Sequence, residues 1–458
     1  MKCRLLLSAL VMLFASPLRA ESPSPAAHDP FTPFLDGKPP EILREVASTN
    51  TLPADVSLKS LVFRSRDNSE IFAVIASPKT PGKHPGMLVL HGGGQSAAVE
   101  QAIAWAQRGY VAVAPDLPGI ADPKKVTLSK GPWSSFKYGE GRWKATPDGG
   151  ASILFDAVLA AMKSLELLRL QPDVDPSRIG VVGISWGGYM TTMVCALAGE
   201  KVRAGFSVFG CGFYEYTAQE NGPKSPLGAL SPEERERWLA QLDPGRRAPA
   251  MKSAFFIAGA SNDFFFWPRA VQATLNAIPG EKNHLFAPNA NHKALVPGGR
   301  PSGSKPASPA SPFVPTAFQP YPTSGEGKDL WLTMEEPYFD YYLKGLGKPL
   351  PQVTVRPTRD NSLACFEVTA PHPLTKVEIY WAKALPPEAA TDPAVMTKAI
   401  MERQWIPLPA TKGAGNTFET KLPAEAVVWF ALVSDDRQVT VSSDLVEIAP
   451  SADVSKAH

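Results

Sequence analysis

Gly183-Ile184-Ser185-Trp186-Gly187 sets a serine between two glycines, with Arg178 to Val182 before it and Gly188 to Cys195 after it. The first flank reads as a buried strand, the second as the opening turns of an apolar helix. A serine on so sharp a strand-to-helix turn projects its hydroxyl clear of the backbone, and the glycines permit the close chain approach that the turn demands. At ordinary residue frequencies about 0.2 such patterns arise by chance in a chain this long, so the flanking elements carry the weight. The chemistry suggested is nucleophilic. A serine hydroxyl attacks only when a base takes its proton, and that base needs a third group to fix its tautomer.

On a strand–turn–helix serine of this kind the partners follow in the order acid, then histidine. The strand-like run Ala254 to Ala258 leads through Gly259 to Asp263, and His292 follows beyond one further helix and one strand. Asp243, ahead of that strand, and Asp340, beyond the histidine, are alternative acids. A loop-capping role is also open to Asp263, since aspartate caps turns. Of the other histidines after Ser185, His284 falls in a strand, His372 in a later β-rich region and His458 at the C-terminus. His292 is therefore the expected base.

His91-Gly92-Gly93-Gly94 closes the apolar run Met87 to Leu90. Glycines there allow backbone N–H groups to approach a developing oxyanion, paired with the N–H of Trp186 just after the serine. Gly93 is the first candidate for the second donor and Gly94 the next, with His91 as structural support. A plain Gly-rich turn is the competing reading. Phe264, Phe265 and Trp267 follow the expected acid directly, and with Tyr214 they form a candidate pocket wall, joined by Trp133, Trp143, Trp186 and Tyr216. Aromatic clusters of this kind serve packing as readily as binding. No zinc-like, phosphate-loop or calcium-loop pattern occurs. No metal or cofactor is expected.

These residues need a frame to bring them together. Val56 to Phe63 and Ile71 to Ile75 read as an antiparallel pair; Met87 to Leu90, Tyr110 to Pro115, Ala204 to Phe209, Ala254 to Ala258 and His284 to Ala287 read as further strands. Helical patterns over 97–108 and 151–170 and the helix after Ser185 alternate with them. That alternation predicts an α/β fold, a mostly parallel sheet with helices on both faces. Active sites in such sheets gather at the carboxyl ends of the strands, where the Ser185, Gly93 and Asp263 turns all lie. After Pro349 the pattern becomes short β-rich runs with a helical-looking insertion around 387–403, predicting a small β-sandwich over 350–450. The expected catalytic region is 56–348, preceded by a Pro-rich extension over 21–55. A Pro-rich insertion over 297–325 is either a functional rim or a passive loop.

Residues 1–20 have the make-up of an export leader: Lys2 and Arg4, an apolar run from Leu5 to Phe14 too short to span a bilayer, and Ala20 before a cleavage site. The mature protein is expected to be periplasmic or secreted, with no membrane anchor. Removing the leader takes three of the 46 basic residues, so 43 face 44 acidic ones. Nothing in that balance suggests a nucleic-acid partner. Cys195, Cys211 and Cys365 then remain, an odd number that argues for free thiols over a disulfide framework.

The wording of several segments resembles the secreted α/β-hydrolases of the acetylxylan esterase and dienelactone-hydrolase-like group, related to prolyl oligopeptidase catalytic domains. It runs through His91 to Gly94, Trp105 to Tyr110, Val174 to Gly180, Gly183 to Tyr189, Phe209 to Phe213, Asn262-Asp263-Phe264 and His292. The likeness covers about 85–292 and the helix ending Tyr342 to Gly345. It implies an α/β-hydrolase fold, Ser185 as nucleophile with Asp263 and His292 as partners, and ester cleavage. The insertion over 297–325 is foreign to the pattern.

Three functions are weighed. The first is a secreted serine carboxylic-ester hydrolase working through an acyl-enzyme, with acylated plant polysaccharide as a substrate class. The second is a serine peptidase of prolyl-oligopeptidase type, against which residues 21–55 leave no room for a gating propeller. The third is a binding protein on a hydrolase scaffold.

Overall fold

The computed structural model describes residues 29–48, 50–217, 225–292, 330–358 and 361–448. The leader over 1–20 and the Pro-rich insertion over 297–325 lie outside the described residues.

Nine strands form one sheet: β1 (Ile42–Val46), β2 (Val56–Arg64), β3 (Glu70–Pro78), β4 (His84–Leu90), β5 (Val111–Pro115), β6 (Val174–Ile184), β7 (Ala204–Val208), β8 (Ala254–Ala260) and β9 (Lys282–Ala287). Their order is β1-β2-β3-β5-β4-β6-β7-β8-β9. Pairings from β1 to β3 and β3 to β5 are antiparallel, and all those from β5 through β4 to β9 are parallel. The expected α/β-hydrolase class is the one observed. Strands β5, β7 and β8 are buried at every position, as their unbroken apolar runs require of a sheet covered on both faces. β1 comes from the stretch read as an extension; it adds an edge strand.

Helices α1 (Val99–Gln107), α2 (Ile153–Arg169) and α3 (Trp186–Ala198) make the crossovers. Ser152 caps α2 by accepting the Leu154 N–H. Helix α4 (Pro232–Leu242) starts at Ser231, whose hydroxyl accepts from Glu234 N. The chain runs from β4 through α1 to β5 on one side, then through α2 to β6 on the other. That reversal opens a crevice at the carboxyl ends of β4 and β6. The Gly92–Gly94 turn and Ser185 sit there.

Helix α5 (Pro268–Ala277) joins β8 to β9, and α6 (Leu330–Phe339) packs near β7. Beyond residue 350 the chain forms two antiparallel sheets. One contains β10 (Gln352–Val355), β11 (Leu363–Thr369), β14 (Thr411–Lys412) and β15 (Thr417–Lys421). The other contains β12 (Leu374–Ala382), β13 (Ile406–Pro409), β16 (Val428–Asp435), β17 (Thr440–Ser442) and β18 (Val446–Glu447). Helix α7 (Pro393–Glu402) is the insertion read as helical. Cys195, Cys211 and Cys365 are free thiols, and burial pushes the Cys195 thiol up to about 12. Among the described residues no helix is long and apolar enough to cross a membrane.

Glu335 on α6 is fully buried, with Arg108 Nη1 3.6 Å away. Burial pushes its carboxyl from 4.5 up to about 7, against the pull of Arg108. The folded state therefore keeps a proton that the unfolded chain sheds near 4.5, and stability falls as pH rises through that window. Glu335→Gln is expected to leave the melting temperature nearly unchanged at pH 4.5. At pH 9 it should stabilise by on the order of 3 kcal/mol. Thermal melts at the two pH values check this; an equal loss at both would contradict it.

Candidate active site

Ser185 stands between β6 and α3 with φ 57° and ψ −118°, a left-side conformation that a side-chain-bearing residue adopts only when its surroundings enforce it. The surroundings do so from both sides. Ser185 N–H donates to the Val208 carbonyl on β7 at 2.8 Å, and its own carbonyl accepts from Tyr189 N at 2.9 Å. The flanking glycines matter through space more than through torsion. A β-carbon on Gly187 would stand 2.1 Å from the Leu90 carbonyl oxygen, and one on Gly183 would stand 2.3 Å from the Gly187 carbonyl oxygen. The turn can press against the end of β4 only because those carbons are missing.

The expected partners converge on that hydroxyl. Ser185 Oγ and His292 Nε2 are 2.9 Å apart, and His292 Nδ1 lies 2.9 Å from Asp263 Oδ2. Asp263 is fully buried and His292 is 4% exposed. The Asp263 carboxylate faces two ways. Its Oδ1 accepts from Phe265 N and Phe266 N at 2.8 and 3.0 Å, while Oδ2 faces the imidazole. One oxygen of Asp263 thus caps its own loop and the other faces the His292 imidazole.

The alternative acids are used elsewhere. Asp243 accepts backbone N–H groups of Phe213, Tyr214 and Gly245 at 2.7–2.8 Å, and burial pushes it up to about 6. Asp340 pairs with Lys344 and accepts from the Tyr110 hydroxyl. His284 bonds to the Ser443 carbonyl and His372 to Asp436. His458 lies outside the described residues.

Of the glycine donors, Gly94 is already committed. Its N–H donates to the Ile120 carbonyl at 2.9 Å, so the second choice is corrected on the ground that its proton holds a loop. Gly92 N–H is likewise held by Gln95 Oε1. Neither Gly93 N–H nor Trp186 N–H has a partner among the described residues. His91 is the structural support expected. Its Nε2 accepts from Leu117 N and its Nδ1 donates to the Gly92 carbonyl, and burial lowers its pKa to about 4, keeping it neutral.

The aromatic residues divide. Phe264, Phe265 and Phe266 surround the His292 ring at centroid distances of 6.2, 4.9 and 5.7 Å, and Phe209 lies at 4.6 Å. Phe264 and Phe265 are half-buried and can border a substrate. Tyr214 and Trp267 are corrected from pocket wall to interior, at 2% and 6% exposure. Tyr214 packs among Trp143, Trp186, Tyr189 and Trp238, and Trp267 turns its N–H to the Phe264 carbonyl. Apolar packing outcompetes display for rings of this size.

Two residues near the crevice had no sequence signal. A β-carbon on Gly93 would stand 2.4 Å from the Tyr138 hydroxyl, which places that phenol against the Gly93 backbone. Arg142 stacks its guanidinium 4.4 Å from the Tyr138 centroid and 4.7 Å from that of Trp186. Its Nε and Nη2 both donate to the Gly119 carbonyl. Beside them a small cleft of about 50 Å³ is bordered by Leu117, Pro118, Trp133, Phe136 and Tyr138. Among the described residues no group of three or more His, Cys, Asp or Glu is placed to hold a metal ion.

The acetyl xylan esterase family model matches residues 28–216, a span that includes Gly93 and Ser185 and ends before Asp263 and His292. Acetyl xylan esterase 1 from Thermoanaerobacterium sp. JW/SL YS485 is 21% identical, with a TM-score of 0.49 over 57% of this chain and 87% of its own. Acylaminoacyl peptidase from Pyrococcus horikoshii is 18% identical, with a TM-score of 0.39 over 52% of this chain and 38% of its own. A putative dienelactone hydrolase from Klebsiella pneumoniae subsp. pneumoniae MGH 78578 is 16% identical, with a TM-score of 0.37 over 52% and 88%. By its sheet order the chain has the α/β-hydrolase fold, and over residues 28–216 it is similar to the acetyl xylan esterase family.

Proposed function

We propose that this protein is an exported serine esterase that deacylates polysaccharide through Ser185, His292 and Asp263. The observation that carries the reading is the unbroken contact chain from the Ser185 hydroxyl through both imidazole nitrogens to a buried carboxylate, 2.9 Å at each link. In the first half-reaction Ser185 Oγ bonds to the ester carbonyl carbon while its proton passes to His292 Nε2. Asp263 holds the Nδ1 proton and stabilises the imidazolium so formed. The carbonyl oxygen becomes an oxyanion facing the N–H groups of Trp186 and Gly93, each worth about 2.7–4 kcal/mol in comparable sites. Collapse breaks the carbon–oxygen bond to the alcohol, which leaves with the proton from His292. A water then gives its proton to His292 as its oxygen bonds to the acyl carbon; the bond from that carbon to Ser185 Oγ breaks, His292 returns the proton to Oγ, and the carboxylic acid leaves.

The acyl group would lie near Phe264 and Phe265, and the sugar near Phe136 and Tyr138, whose more exposed rings suit sugar faces. Purified protein should release acetate from acetylated xylan and turn over p-nitrophenyl acetate faster than longer-chain esters. Feruloyl esters, methyl glucuronate esters and dipeptidyl amides belong in the same assay. Faster cleavage of dipeptidyl amides than of short aryl esters would move the assignment to a peptidase.

A further inference from the structure

The region beyond residue 350 bonds to residues that flank the candidate triad. Asn262 immediately precedes Asp263, and Asn289 stands three residues before His292 with φ 57°. Both side-chain amides reach the segment that follows α7. Asn262 Nδ2 donates to the carbonyls of Ile400, Met401 and Arg403 at 3.1, 3.3 and 2.6 Å. The first two belong to the last turn of α7, where the Ile400 carbonyl also accepts from the Arg403 N–H at 3.3 Å. Asn289 pairs with the Trp405 backbone in both directions, its Nδ2 to the Trp405 carbonyl at 2.9 Å and its Oδ1 from Trp405 N at 2.8 Å.

Ser261 closes the circuit between the two amides. Its hydroxyl donates to Asn262 Oδ1 at 2.6 Å and accepts from Asn289 N at 2.8 Å. Asn262 N also donates to the Ala290 carbonyl at 3.0 Å. The far side is equally anchored. Trp405 is 3% exposed and packs on Phe430 of β16 at 4.9 Å, and Arg403 Nη2 donates to the Lys383 carbonyl at 2.7 Å. The acid loop and the base loop are thus tied to each other and to one rigid external segment.

We infer that Asn262 and Asn289 are positioning residues, and that residues 400–405 of the C-terminal region act as a template holding Asp263 and His292 in register. The inference rests on the triad reading above. Two loops from different strands must bring a carboxylate and an imidazole to 2.9 Å, and side-chain amides bonded to a common backbone fix that separation better than loop packing alone. A displacement of about 1 Å in such a group can cost 10²-fold in rate.

Asn289→Gly is the cleanest probe, because glycine accepts the positive φ and only the amide is lost. Ser261→Ala is a milder second variant should the first fold poorly. Gln272→Ala is the control: Gln272 bonds Asp444 and Leu445 N and so docks the same region at a site away from the triad loops. On p-nitrophenyl acetate, Asn289→Gly is expected to lower kcat about tenfold with KM within about twofold. The acid limb of its kcat/KM profile should move to lower pH, since an imidazolium misaligned with its carboxylate loses stabilisation. Gln272→Ala should keep wild-type kcat and profile. Wild-type kinetics in both Asn289→Gly and Ser261→Ala, or an equal kcat loss in Gln272→Ala, overturns the template. Ser185→Ala separates the two ideas: an active Ser185→Ala defeats the triad, whereas an inactive one beside wild-type kinetics in both Asn289→Gly and Ser261→Ala defeats only this inference.

Discussion

Ser185→Ala should abolish ester turnover, with kcat falling on the order of 10⁶-fold, the scale seen when a nucleophile is removed from a triad acting as a unit. The loss is so large because no neighbour can substitute. His292 Nε2 contacts the Ser185 hydroxyl, and the next hydroxyls on the flanking elements are spent: Thr191 and Thr192 donate to helix carbonyls and Ser207 to the Gly210 carbonyl. What survives should be the modest catalysis of the backbone donors and binding alone, about 10³–10⁴ over water. The variant should fold, since the strained backbone at 185 is fixed by main-chain bonds to Val208 and Tyr189 that alanine retains. A fluorophosphonate probe should label the wild type and not the variant. Equal labelling of the two would remove Ser185 from the mechanism.

Much of this site could be read from the chain because its signals are local. The nucleophile turn needs a strand, a glycine-flanked serine and a helix within about twenty residues, and each has its own periodicity. Buried parallel strands such as Ala254–Ala260 announce themselves as continuous apolar runs. The contact between Asp263 and His292 was reachable by order, because a βαβ frame returns each strand end to the same edge.

What escaped was non-local. Nothing in Asn262 or Asn289 points to residues 400–405, since an amide facing a distant backbone leaves no spacing or hydrophobic pattern. Gly94 was read as a donor because sequence shows which N–H groups exist and not which are spent; only the Ile120 carbonyl decides that. Tyr214 and Trp267 look the same in sequence whether they line a pocket or fill a core. Arg142 owes its place to two rings and the Gly119 carbonyl, contacts made by loop geometry and not by periodicity.

Asp263→Asn is expected to lower kcat about 10⁴-fold while leaving the fold almost untouched, and the separation of those effects follows from the two oxygens. Asparagine keeps an acceptor where Oδ1 meets Phe265 N and Phe266 N, so the loop remains capped. That same arrangement turns its NH₂ toward His292 Nδ1. A donor facing Nδ1 favours the tautomer whose proton sits on Nε2, and an Nε2–H cannot take the proton of Ser185. Asp263→Ala removes both functions: it should lose as much activity and in addition about 0.5–2 kcal/mol of stability, the range for a lost cap. Parallel melts and kinetics on the two variants resolve the roles. If Asp263→Asn stays within about tenfold of wild type, the carboxylate does no more than cap its loop, and the base must find its tautomer elsewhere.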